Sequence, residues 1–230
     1  MGDANLFILE DAALKLQALI DEVVFVGGAT LGLLIDSPGA APIRATTDVD
    51  VIAEIMSYSE YIEFSERLRA NGFTEDSGHG SPLCRWLHGD LTLDVMPLDR
   101  SVLGFTNRWY RSALDHARPT VLPSRRSIRV ISAPFFLGTK IEAFHGRGQL
   151  DYLGSQDLED FVAVVDGRDS IMDEIFAAPD DLRLYLAQTG LELLAESRFM
   201  DALPGYLLPD EAGQERLPGL LRKLRAIAQM

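Results

Sequence analysis

The sequence predicts an α/β protein, α+β in arrangement, built as a mixed β-sheet with flanking helices over residues 1–133 and an α-helical domain over residues 134–230. Three observations carry this. Short apolar, β-branched runs (Glu22–Val26, Thr46–Ile52, Leu91–Met96, Ile128–Ile131) are separated by stretches of helical period. A glycine pair, Gly27-Gly28, stands between the first run and the helical Thr30–Ile35, marking a strand-to-helix turn. Beyond Ser132-Ala133-Pro134 only helical spacing remains, in pieces divided by Pro179, Gly190 and Pro204, with no fixed repeat.

Composition bounds the function. With 230 residues and 47% apolar side chains the chain can bury one large or two small cores. A formal charge of −14 excludes attraction to nucleic acid or anionic membrane by the overall field. Cys84 is the single cysteine, which excludes an internal disulfide and a cysteine-based zinc cluster. The start, Met1-Gly2-Asp3-Ala4-Asn5, has no basic leader, and no apolar run reaches about 18 residues, so a cytoplasmic protein without a membrane partner is expected.

Along the chain, Leu6 to Ile20 has helical spacing and leads into the first strand. The glycine pair then lets the backbone turn sharply and leaves N–H groups at a helix start, with the Thr30 hydroxyl beside them, to hold an anion; simple packing is the competing use of such a pair. In Thr46-Thr47-Asp48-Val49-Asp50-Val51-Ile52 the period of two puts Asp48 and Asp50 on one strand face and Val49 and Val51 on the other. Adjacent like charges disfavour the sheet unless a cation lies between them, and Mg²⁺ suits such hard oxygen ligands. Ser57-Tyr58-Ser59 can cap a helix of about residues 60–70, which Asn71-Gly72 ends. Strands at Leu83–Leu87 and Leu91–Met96 form a hairpin over His88-Gly89-Asp90. Asp94, alone inside an apolar strand, needs a partner and is the natural third metal ligand, opening a two-ion site; Asp90 at the turn faces solvent. His79 and His88 lie in loop-like sequence and read as solvated.

Between Arg100 and Arg147 nine basic side chains meet only Asp115 and Glu142, so the charge reverses locally. Phe105, Trp109, Tyr110, Phe135, Phe136 and Phe144 are interleaved with them. Either this segment receives a polyanion and stacks a base, or Arg125, Arg126 and Arg129 flank a hairpin at Pro123-Ser124 and the aromatics are core. A helix from Phe135 to Phe144 carries Lys140 among apolar neighbours, where its amine either reaches water or meets an anion.

The succession Gly27-Gly28-Ala29-Thr30, Asp48-Val49-Asp50 and the lone Asp94 resembles the DNA polymerase beta type nucleotidyltransferase superfamily. Arg44-Ala45-Thr46-Thr47-Asp48, and Lys140 followed by Arg147 and Asp157-Leu158-Glu159-Asp160, are similar to motifs of its AbiEii/AbiGii-like branch, described in toxin–antitoxin and phage-abortive systems. The stretch Asp36–Pro42 makes the Gly28-to-Asp48 spacing longer than in the common pattern. The resemblance covers residues 22–165. It implies a Mg²⁺-dependent enzyme that moves a nucleoside monophosphate from a nucleoside triphosphate to an acceptor hydroxyl. Asp48, Asp50 and Asp94 hold metal; Gly27, Gly28, Thr30, Arg44, Lys140 and Arg147 meet the nucleotide; Asp157 or Asp160 positions a base or orients Lys140. An N-cap role for Asp157 is the competing use. RNA, including a tRNA 3′ end, is the favoured acceptor, with a cognate antitoxin as partner. A protein or small-molecule acceptor, or a non-catalytic nucleotide-binding antitoxin module, are the alternatives. The site is expected in a cleft between the two domains.

Overall fold

A computed structural model describes residues 4–147 and 151–230, which divide into two compact units, Met1–Gly32 with Arg44–Ser132 and Leu33–Ile43 with Ala133–Met230. The first unit begins with α1 (Ala4–Leu16), a 3-10 turn at Gln17–Glu22 and β1 (Val23–Val26). The helix expected to reach residue 20 stops at Gln17, whose φ of +50° lies in the left-handed region that an α-helix cannot continue through. All four residues of β1 are buried, as in a central strand, and each such apolar side chain contributes about 1.5–3 kcal/mol over its exposed state.

A second 3-10 turn, Gly28–Thr30, opens α2 (Leu31–Leu34), and β2 (Asp48–Ala53) follows. Next comes α3 (Tyr58–Ala70), where the Ser57 hydroxyl accepts from the Glu60 N–H and the Glu60 carboxylate accepts from the Ser57 N–H, a reciprocal cap. Then come β3 (Thr74–Glu75), β4 (Arg85–His88), β5 (Leu91–Met96), α4 (Arg100–Leu103), α5 (Tyr110–Asp115), β6 (Arg118–Val121) and β7 (Ser127–Val130).

The strands form one mixed sheet of order β3-β4-β5-β2-β1-β7-β6, parallel at β2–β5 and β1–β7 and antiparallel elsewhere. β6 completes the hairpin that is one of the two readings of the Pro123-Ser124 stretch. It is largely exposed, contains Pro119 and has no apolar alternation, yet it pairs with β7 around Pro123-Ser124.

The second unit is helical: α6 (Ala133–Arg147), α7 (Gln156–Gly167), α8 (Ile171–Phe176), α9 (Asp180–Ala195), α10 (Ser197–Ala202), α11 (Glu211–Gln214) and α12 (Leu217–Ile227). Both α6 and α12 pack on α7, α8 and α9. Phe136, Leu137, Ile141 and Phe144 of α6 and Leu158, Phe161, Val162 and Val165 of α7 supply the centre of its core.

The stretch that lengthens the glycine-to-aspartate spacing belongs to this helical unit and has a structural job there. The Asp36 and Ser37 N–H groups donate to the Gly167 carbonyl, the Asp169 N–H to Asp36, and Arg168 Nη1 to the Leu34 carbonyl. A Cβ on Gly167 would stand 2.9 Å from Ile35 and 3.0 Å from Ala40, so a side chain there would push this stretch away. Among the described residues no helix is long and apolar enough to cross a membrane.

Candidate functional site

The alternation of β2 is realised: Asp48 and Asp50 are half-buried on one face while Val49 and Val51 are fully buried on the other. Parallel pairing sets Asp50 opposite Asp94 of β5 and Asp48 opposite Thr92, so the sheet brings the three aspartates onto one face. Asp94 is only 5% exposed, whereas Asp90 sits exposed in the turn.

A cation is already among them. Antiparallel pairing of β4 with β5 places Arg85 opposite Asp94. Its Nε donates to Asp94 Oδ1 at 2.8 Å and its Nη2 to Asp94 Oδ2 at 2.7 Å, a two-pronged pair, and Nη2 also donates to Asp48 Oδ2 at 3.0 Å. The hydrogen bonds to Asp94 hold the guanidinium pKa above its ordinary value. At an effective dielectric constant near 20, unit charges about 4 Å apart interact by about 4 kcal/mol, so Arg85 offsets the repulsion between Asp94 and Asp48 that would oppose the sheet. Sequence reasoning did not single out Arg85. Next to it Cys84 is buried, and burial, then the charge of Asp94, pushes its thiol up to about 12.

The turn after β1 closes against the same patch. Gly27 has φ +69° and ψ −169°, a conformation essentially confined to glycine, and a Cβ there would fall 1.9 Å from Asp50 Oδ2. Gly28 is half-buried beside it. Thr30 is fully buried and its hydroxyl donates to the Gly27 carbonyl at 2.9 Å, so it braces the turn from inside.

The lead-in to β2 is fixed by Asn5, another residue that sequence reasoning passed over. Its amide nitrogen donates to the Arg44 carbonyl and its oxygen accepts from the Thr46 N–H, both at 3.0 Å, while the Thr46 hydroxyl donates to Asp48 Oδ1 at 2.7 Å. The Nε of Arg44 is buried with no hydrogen-bond partner among the described residues.

In the helical unit Lys140 is 8% exposed, and its Nζ lies 3.2 Å from Asp157 Oδ1 and 2.6 Å from Asp160 Oδ2, over the Phe136 ring. The anion met by Lys140 is thus carried by its own chain. The N-cap of α7 is Ser155, whose hydroxyl accepts from the Leu158 N–H; Asp157 lies inside the helix and does not cap it. Arg147 ends α6, and its side chain lies outside the described residues. Trp109, Phe135, Phe136 and Phe144 are buried core, so of the interleaved aromatics only Phe105 and Tyr110 keep appreciable exposure.

Three carboxylates on one sheet face fit a hard divalent ion in chemistry and in register. They depart from such a site in one respect. As the side chains stand, no group of three or more His, Cys, Asp or Glu among the described residues converges to hold an ion, and Arg85 spans Asp48 and Asp94. A hollow of about 540 Å³, bordered by Asp21, Glu22, Glu54, Glu60 and Arg129, opens at the other end of β1 and β2.

No protein-family model matches the chain, and no curated protein matches it. Among solved structures, it is similar to the crystal structure of an antigenic nucleotidyltransferase-like protein from Paracoccidioides brasiliensis, with 17% identity, a TM-score of 0.47, and coverage of 98% of this chain and 94% of that one.

Proposed function

We propose that the chain is a nucleotidyltransferase that moves a nucleoside monophosphate from a nucleoside triphosphate to an acceptor hydroxyl, with RNA, a tRNA 3′ end included, as acceptor and an antitoxin as partner. The observation that carries it is the row Arg85–Asp94–Asp50 across three neighbouring strands, with Asp48 beside it and the bare backbone of Gly27 against Asp50. In this reading residues 1–133, apart from 33–43 and Ala133, form the catalytic domain, and residues 134–230 with those segments form the helical one.

Asp48, Asp50 and Asp94 are the residues that would hold Mg²⁺, which when bound neutralises phosphate charge and lowers the pKa of an attacking hydroxyl. The chain's own groups do the rest. The Gly27–Gly28 backbone admits phosphate oxygens at close range, and Arg44, in the lead-in to β2, is the proposed cationic donor to them. Thr30 keeps the turn rigid from within, and Asn5 with Thr46 keeps Asp48 oriented, so little reorganisation accompanies the reaction. Exposed Arg100, Arg108, Arg118, Arg125 and Arg126 favour a polyanionic acceptor. Lys140 with Asp157 and Asp160 stays proposed as a phosphate-binding group and its orienting acids.

Incubation with each α-labelled nucleoside triphosphate, Mg²⁺ and total RNA tests the reading. Label on RNA that falls about a hundredfold or more in Asp50→Asn is expected. Label on protein alone would move the acceptor to a partner protein. Arg85 favours a second reading, a non-catalytic nucleotide-binding module, because Asp94 and Asp48 are paired without metal and an idle pair need not destabilise the sheet. Nucleotide binding without any labelled product would establish it.

A further inference from the structure

The acid patch is not waiting for a cation, because one is built in. Arg85 reaches it from β4, the strand next to β5, and the place is dictated by register: the two-residue turn Gly89-Asp90 sets His88 opposite Leu91 and therefore Arg85 opposite Asp94. The guanidinium uses both prongs on Asp94, which is nearly buried, and shares Nη2 with Asp48. A divalent ion bound by Asp94 and Asp48 would share carboxylate oxygens to which those N–H groups already donate, and it would stand within a few ångströms of a fixed positive charge. The two cations oppose one another by charge, and the ion is left only the lone pairs that the guanidinium does not use.

We infer that Arg85 is the resident cation of this patch and competes with divalent metal for it, so that the nucleotide-free protein holds Asp94 and Asp48 together without metal. Arg85 therefore sets the metal affinity of the site. The inference rests on the proposed function only in treating this patch as the place where metal would bind. It concerns the apo protein, and its test needs no nucleotide, no acceptor and no turnover, so a failure to transfer label and a failure of cation competition are read separately.

Mn²⁺ titration of the nucleotide-free protein, followed by the loss of the free-ion electron paramagnetic resonance signal, is the direct measurement. The parent chain is expected to bind no Mn²⁺ below about 1 mM, whereas Arg85→Gln, which keeps a planar polar head but no charge, binds at least tenfold more tightly. Its melting midpoint, below that of the parent in chelator, should rise by several degrees with millimolar Mg²⁺ while the parent's stays flat. Arg85→Lys retains the positive charge and is expected to behave as the parent does. Arg85→Gln that is recovered folded only when Mg²⁺ is present supports the competition as well. Micromolar Mn²⁺ binding by the parent overturns it, whatever the variants do. So does a folded Arg85→Gln protein with the parent's Mn²⁺ affinity, and so does an Arg85→Lys protein that binds Mn²⁺ like Arg85→Gln.

Discussion

Replacing Lys140 by alanine is expected to lower the melting midpoint by roughly 10 °C. The ammonium lies between Asp157 and Asp160, which are 8% and 1% exposed, and truncation removes a cation that both carboxylates face. Breaking a buried pair from one side costs about 3–5 kcal/mol, because the remaining charge is left without its counter-ion, and for a chain of this size each kcal/mol moves the midpoint by about 2–4 °C. The diagnostic is the triple variant Lys140→Met, Asp157→Asn, Asp160→Asn. If the loss comes from stranded carboxylates, the triple variant melts above the single one. Thermal denaturation and nucleotide titration read the two roles separately: a Lys140→Ala protein with the parent's midpoint would falsify the structural account, and tenfold weaker nucleotide binding by the folded variant supports the proposed contact with the triphosphate.

Gly27→Ala is expected to abolish nucleotidyl transfer, with a loss of about a hundredfold or more, because Asp50 must move by an ångström or so to clear the new methyl. The backbone adds its own cost, about 1–3 kcal/mol for a conformation at φ +69° and ψ −169° that only glycine adopts readily. Gly104→Ala is the matched control. Gly104 also has a positive φ, +85°, at the end of α4, but a Cβ there meets nothing within 4 Å. It should lose about 1 kcal/mol and no activity. Equal activity loss in the two variants would mean that backbone strain, not the approach of Gly27 to Asp50, is what matters; activity assays alongside urea denaturation make the comparison.

Much of the site was legible because it is local. The period of two in Asp48-Val49-Asp50-Val51 needs only the geometry of one strand, and a lone Asp94 in an apolar run advertises its need for a partner. Arg85 was within reach by arithmetic, since the position of the hairpin turn fixes its register, but an arginine in a half-exposed strand carries no composition signal. The Asp36–Pro42 stretch was not legible. Its partners, Gly167, Asp169 and Arg216, lie more than a hundred residues away, and no spacing rule connects them. The basic segment divided similarly: exposure of Arg125 and Arg126 agrees with either reading of that stretch, and only burial decided that Trp109 and Phe144 are core.

The chemistry of Cys84 has a practical use. A thiol that titrates at about 12 and is 2% exposed is almost wholly protonated and shielded at pH 8, so aromatic disulfide reagents should pass it by until β4 detaches. Cysteines introduced on exposed positions could then carry spectroscopic labels without removal of the native one. The rate at which Cys84 itself is modified becomes a clock for opening of the sheet unit, hundreds of times slower than for a surface thiol in the folded chain and equal to it in urea.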